Sequence, residues 1–136
     1  MTTDSNTSAL DVRVYYEDTD ASGRVYHAAY VRFFERGRAE WLRVRGFDIG
    51  ALAAGRGIVF AVRGLAIEYL KGAFIDDLLR VETRPTAVRG AVVEFSQRIF
   101  RGEEIVAEAT IRVVTLKDGR VVRIPADLTA QMTATP

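Results

Sequence analysis

The spacing of apolar residues along the chain changes period twice. Residues 1–10, "MTTDSNTSAL", carry no periodic apolar pattern and are expected to form a disordered tail. Val12, Val14 and Tyr16 then alternate with Arg13, Tyr15 and Glu17, the two-residue period of a strand with one apolar face. A polar stretch follows, from Asp18 to Gly23. From about Ala28 to Arg45 the period lengthens. Tyr30, Phe33, Phe34, Gly37, Trp41 and Val44 fall at the i, i+3, i+4, i+7 spacing of a helix, with Arg32, Glu35, Arg36, Arg38 and Glu40 largely on its other faces. Gly46 is a natural stop for that helix. A short helical piece is expected near Asp48 to Ala54.

Beyond Gly57 the short period returns. "IVFAVRGLAIEYL" reads as one long strand, or as two joined at Gly64, where a bulge suits a glycine. "DLLRVETRPTAV" alternates Leu79, Val81 and Thr83 with Arg80, Glu82 and Arg84, and Pro85 implies an edge or a bulge. "AVVEFSQRIF" and "EIVAEATIRVVTL" alternate in the same way. The breaks between them, "VRGA" and "RGEE", are short and contain Gly, as hairpins require. "KDG" opens a last hairpin into "RVVRIP". One early helix followed by antiparallel strands predicts an α+β fold, a sheet with one helix against one face. A length of 136 residues fits one domain, taken as residues 11–136.

Composition narrows the chemistry. The chain is 49% hydrophobic and 27% charged, ordinary globular usage, so disorder is expected only at the ends. A formal charge of +1 argues against a general nucleic-acid binder, while leaving room for a local Arg cluster that holds a phosphorylated ligand. The absence of Cys removes disulfides, thiol nucleophiles and Cys-based zinc sites, and a single His, His27, removes zinc sites built from several. The N-terminus has no basic and apolar signal-peptide regions, and no segment approaches the roughly 18 apolar residues of a membrane span. The expectation is a soluble, cytoplasmic protein, frayed at its start and end.

The loop "EDTDASGRVYHAAY" holds the candidate chemistry. Asp18, Asp20, Ser22 and Gly23 occupy the first, third, fifth and sixth positions of a calcium-binding EF-hand loop, and Val25 fits its apolar eighth. The twelfth position, where calcium needs a bidentate Glu, is Ala29, and a strand precedes the loop where a helix is required. The calcium reading therefore fails, and no metal is expected. Two structural roles remain open to these acids. Either can cap the helix or make an Asx-turn, with Gly23 supplying a positive φ. Two acids, a hydroxyl, a Gly and the sole His exceed what a turn requires. The loop also leads into a helix whose first N–H groups are unpaired and favour a carbonyl oxygen gaining negative charge. A carboxylate beside them can activate water or attack the carbonyl carbon, a minimal kit for acyl transfer. A Ser-His-Asp triad fits worse, because the G-x-S-x-G elbow is absent.

"RVYYEDTDASGRVYHAAYVRFFERGRAEWL" resembles the signature of the hotdog-fold acyl-CoA thioesterases. It is closest to the branch associated with the Tol–Pal system, which is similar to 4-hydroxybenzoyl-CoA thioesterase. The resemblance continues through "FAVRGLAIEY", Asp76–Asp77 and "VRGAVVEFSQRI", and covers all but the first ten and last dozen residues. It implies a hotdog fold, an antiparallel β-sheet wrapped around one long α-helix. It implies that Asp20 is the catalytic carboxylate, acting as nucleophile or as general base, and that the backbone N–H of His27 polarises the substrate carbonyl while its imidazole orients Asp20 or that carbonyl. Gly23 completes the substrate-binding turn; Arg89, in the "VRGA" hairpin, matches a position that holds coenzyme A phosphates; Phe60 and Arg63 match a strand lining the pantetheine channel. Many relatives have Gly where this chain has Ser22. No cofactor is implied. The implied partners are an acyl-CoA substrate and further copies of the chain, in dimers or a homotetramer with active sites between subunits. Two rival readings remain. One is the same chemistry on acyl groups held by acyl carrier protein, docked on Arg32, Arg36 and Arg38. The other is a non-catalytic hotdog module that holds an acyl ligand or a partner.

Overall fold

The structure, a computed structural model, describes residues 6–133. β1 (Ser8–Arg13) leads through a single 3-10 turn (Tyr16–Asp18) into α1 (Ala29–Val44) and α2 (Ile49–Arg56). β2 (Ile58–Tyr69), β3 (Leu78–Arg89), β4 (Val92–Arg101), β5 (Glu104–Lys117), the two-residue β6 (Arg120–Val121) and α3 (Ala126–Thr133) follow. The long strands form one antiparallel sheet in the order β1-β3-β4-β5-β2, with β6 paired to β5. α1 packs against the inner face of this sheet, the α+β hotdog arrangement that the resemblance implies.

The helix forms where the long period predicts it. Its inward face is Ala29, Tyr30, Phe33, Phe34, Gly37, Trp41 and Leu42, all buried. Burying each large side chain there contributes roughly 1.5–3 kcal/mol. Gly37 sets how closely helix and sheet approach: a Cβ at that position would stand 2.7 Å from Val81 Cγ1 and 2.8 Å from Thr83 Oγ1. Only a residue without a side chain fits there. Val44, expected on the apolar face, is exposed in the last turn, and Leu42 takes the buried place.

Both glycine and proline signals in the strands correspond to real irregularities. The β2–β5 register shifts between Val62 and Gly64, so Arg63 is the extra residue of a bulge. The β3–β4 register shifts between Pro85 and Ala87. Pro85 also lies beyond the stretch of β3 that β1 covers, so its missing N–H breaks no ladder with β1.

The ends differ from expectation. The expected tail falls partly outside the described residues, at 1–5, but β1 begins at Ser8 and pairs with β3. Asn6 is held by α1: its carbonyl accepts from Trp41 Nε1 at 2.9 Å and from Arg45 Nη2 at 3.1 Å. The chain's far end is not frayed up to Thr133. The "RVVRIP" hairpin shrinks to two paired residues, and α3 then seats Leu128 and Met132, four residues apart, in the core. Two apolar anchors on eight residues are too faint a period to stand out in sequence. Among the described residues no helix is long and apolar enough to cross a membrane.

Candidate active site

The loop between β1 and α1 separates its two acids. Asp18 is buried and serves the backbone: its Oδ2 accepts from the Tyr15 N–H at 2.8 Å, and its Oδ1 faces Arg32 Nη2 at 3.5 Å. Asp20, two residues on, is exposed at the tip. The tip is closed by the Asp20 N–H donating to the Arg24 carbonyl at 3.0 Å and the Gly23 N–H donating to the Asp20 carbonyl at 2.9 Å. Gly23 has a φ of +82°, the left-handed conformation that glycine adopts without strain. The two carboxylates thus face different groups, the first holding the loop and the second offered outward.

Asp20 does make the Asx-turn that sequence left open, but with one oxygen. Its Oδ1 accepts from the Ser22 N–H at 2.8 Å and from the Ser22 hydroxyl at 2.5 Å. Oδ2 has no hydrogen bond among the described residues. The Ser22 hydroxyl, then the Ser22 amide, hold this carboxyl below the ordinary carboxylate value, and His27 and Arg24 nearby add to the effect. Asp20 is therefore an anion at neutral pH, the form that a nucleophile or general base requires.

The helix start is equally open. The residue preceding α1, Ala28, gives no side-chain cap, and the first turn carries no acid. The His27 N–H donates to no protein acceptor among the described residues. His27 stands two residues before α1, and the Ala29 and Val31 N–H groups already donate to the Tyr26 and Ala28 carbonyls at 2.8 and 3.2 Å, so the positive end of this 16-residue helix lacks a charged partner in its first turn, not hydrogen bonds. Tyr69, from the far end of β2, donates its hydroxyl to the His27 carbonyl at 2.9 Å and stands edge-on to the Tyr30 ring at 5.4 Å. That bond fixes the peptide on the C-terminal side of His27, and the tilted Tyr26–His27 ring pair, with centroids at 4.4 Å, fixes the side chain.

Asp20, Ser22, His27 and Tyr69 line one open cleft of about 380 Å³, with Arg24 and Lys71 supplying positive charge. Gly23 lines a second cleft on the other side of Asp20, with Tyr16 and Ile75. The remaining sequence candidates lie elsewhere. Phe60 lines an apolar cavity near the opposite end of β2. Arg63 is the exposed bulge residue, and Arg89 ends β3 at its hairpin, also exposed. Arg38, expected with Arg32 and Arg36 as an exposed docking cation, is instead half-buried and donates to Gln97 Oε1 at 3.0 Å. Tyr69, Arg24 and Lys71 were not singled out from sequence. Arg24 sits inside the loop motif, whereas Tyr69 is 42 residues from its partner and only the fold brings them together.

The sequence profile of the thioesterase superfamily matches residues 22–108, a stretch that begins two residues after Asp20. The acyl-CoA thioesterase YbgC of Haemophilus influenzae is 45% identical over 116 residues, 85% of each chain. The crystal structure of a probable thioesterase from Bartonella henselae superposes with a TM-score of 0.85 at 39% identity, over 88% of this chain and 99% of that one. A 4-hydroxybenzoyl-CoA thioesterase, solved as a complex with 4-hydroxybenzoyl-CoA, shares the fold at a TM-score of 0.87 and 20% identity, over 94% of this chain and 99% of that one.

Proposed function

The chain belongs to the thioesterase superfamily, and from that premise we propose that it hydrolyses acyl-coenzyme A thioesters to the free acid and coenzyme A. The observation that carries this reading is the exposed, half-engaged Asp20 carboxylate beside the uncapped start of α1. The thioester carbonyl oxygen sits at the His27 N–H, where the helix end favours the negative charge of the tetrahedral intermediate. Asp20 Oδ2 either attacks the carbonyl carbon, breaking the C–S bond to give an acyl anhydride on Asp20 that water then hydrolyses to the free acid, or takes a proton from a water that attacks the carbonyl carbon directly. In both routes the sulfur leaves as thiolate and takes up the proton that the water gives up. The His27 imidazole orients Asp20 or the carbonyl. Gly23 shapes the turn, Arg89 meets the coenzyme A phosphates, and Phe60 and Arg63 line the path of the pantetheine arm.

In this reading residues 11–136 act as one domain in the cytoplasm, and the working unit is a homotetramer built from dimers. The free edge of β2 supports the assembly. Val59, Val62, Leu65 and Tyr69 along it are 40–51% exposed, and among the described residues β2 pairs with β5 on one side only. Such an edge invites a second β2. Antiparallel pairing of two β2 edges would bring the Tyr69 end of one protomer against the Phe60 end of its partner.

A panel of short, long and aromatic acyl-CoAs, assayed by thiol release, tests the reading. The chain has no Cys, so the reagent detects only coenzyme A. Release from at least one class is expected. Binding without release from any of them would leave only the non-catalytic module. Faster release from acyl carrier protein, with rates that fall as salt rises, would move the substrate to the protein-bound acyl group.

A further inference from the structure

The turn after β2, residues 70–74, gathers positive charge beside Asp20. Three cations meet there, Lys71 on the turn itself, Arg101 and Arg24. Two of them have acids of their own. Arg101 meets Asp77 Oδ2 at 3.1 Å and Glu104 Oε1 at 2.6 Å, and Lys71 Nζ stands 3.5 Å from Glu104 Oε2. Among the described residues no carboxylate lies within ion-pair distance of Arg24. Asp20 is near, but its Oδ1 takes both of its hydrogen bonds from Ser22. Arg24 is exposed, yet it is laid in place. Its backbone bridges to Phe74, and its guanidinium carbon lies 5.6 Å from the Phe74 ring centroid. Its chain crosses Gly72, where a Cβ would stand 3.3 Å from Arg24 Cδ and Nε. An arginine already stacked on a ring gives up less side-chain freedom when it grips an ion.

Arg24 lines the same cleft as Asp20, His27 and Tyr69. In the thioester hydrolysis proposed above, on which this inference rests, the coenzyme A arm follows Phe60 and Arg63 toward Arg89. None of those three lines this cleft, so the group that meets Arg24 belongs to the acyl half of the substrate. We propose that Arg24 selects acyl groups that end in a carboxylate, the coenzyme A monothioesters of short dicarboxylic acids. The planar guanidinium fork matches a carboxylate with two parallel hydrogen bonds. It also offsets the repulsion that such a substrate meets from the Asp20 anion. A neutral acyl group gains neither.

Succinyl-, glutaryl- and adipoyl-CoA test it, each against its neutral terminal amide, by thiol release from the full-length protein. Three lengths sample the reach from His27 to Arg24 without fixing it beforehand. At least one carboxylate is expected to show a kcat/KM about fivefold to tenfold above that of its amide, with the difference in KM. Arg24→Gln should bring that ratio to about one, and Arg24→Glu should reverse it. The ratio cancels any effect of Arg24 on Asp20, which acts on both substrates alike. A ratio near one at all three lengths in the wild-type protein overturns the proposal, whether or not the variants fold. If thiol is released in that case, the thioesterase reading stands and only the selectivity falls. No release from any acyl-CoA overturns both. A folded Arg24→Gln protein that keeps the preference also overturns the role of Arg24.

Discussion

The two ends of α1 are finished in opposite ways. At the C-terminal end nearly every polar group has a partner. The Gly46 N–H returns to the Arg43 carbonyl, and the Arg45 and Phe47 N–H groups both return to the Leu42 carbonyl. The Arg45 guanidinium donates to the Trp41 carbonyl at 2.9 Å, to Ser8 Oγ at 3.1 Å and to Asn6 Oδ1 at 2.6 Å. It also lies 3.8 Å from the Trp41 ring centroid. One side chain thus closes the helix and fastens the first strand. At the N-terminal end, among the described residues, there is no side-chain cap, no acid in the first turn and no acceptor for the His27 N–H, and only backbone carbonyls, Tyr26 and Ala28, serve the Ala29 and Val31 amides. The charge that could neutralise this end stands just beyond it, on Asp20. In the proposed reaction one end governs stability and the other turnover, and substitutions should separate the two.

Asp20→Asn should have the largest effect. It removes the anion while keeping the turn acceptor, so kcat should fall by about two to four orders of magnitude in a thiol-release assay, with Tm little changed. Arg45→Met is its counterpart. Losing the guanidinium contacts should cost about 1–3 kcal/mol, seen as a Tm lower by several degrees, with kcat/KM unchanged for the protein that remains folded. Tyr69→Phe lies between them. It frees the His27 carbonyl, so kcat should fall roughly threefold to tenfold while KM and Tm hold. An equal change in KM would make Tyr69 a binding contact, not a positioning one. The smallest effect belongs to Ser22→Ala. The Ser22 hydroxyl is the largest cause of the depressed Asp20 pKa. Hydrogen bonds to the charged form stabilise it, so their loss raises the pKa. The acid limb of the kcat/KM profile should move to higher pH, with the plateau unchanged. A limb that stays in place would mean that Asp20 does not set it.

The fold was legible in sequence wherever period and packing agree. The aromatic stripe from Tyr30 to Trp41 has the helical spacing because that face alone meets the sheet. Gly64 and Pro85 marked bulges because neither residue sustains a regular ladder. Legibility ended where contacts are long in sequence and carried by one or two residues. Ser8 belongs to β1 because α1 and β3 hold it, not because "TSAL" reads as a strand. α3 depends on Leu128 and Met132 finding a core that other elements build. At the site, the local part could be read: Asp20, Ser22, Gly23 and His27 all lie within eight residues. That the loop's two acids divide the work was not readable, since Asp18 and Asp20 differ only in which way the turn points them. Nor was Tyr69, whose role exists only once β2 returns beside the start of α1.

The central claim is that the open end of α1 polarises a thioester carbonyl beside Asp20. The most direct measurement is the infrared carbonyl stretch of an acyl-CoA labelled with carbon-13 at the thioester carbon and bound to the Asp20→Asn protein. The account predicts a stretch at lower frequency than that of the free thioester in water, because the helix end and the His27 N–H draw electron density onto the oxygen. A bound carbonyl at or above the frequency of the free one would contradict it.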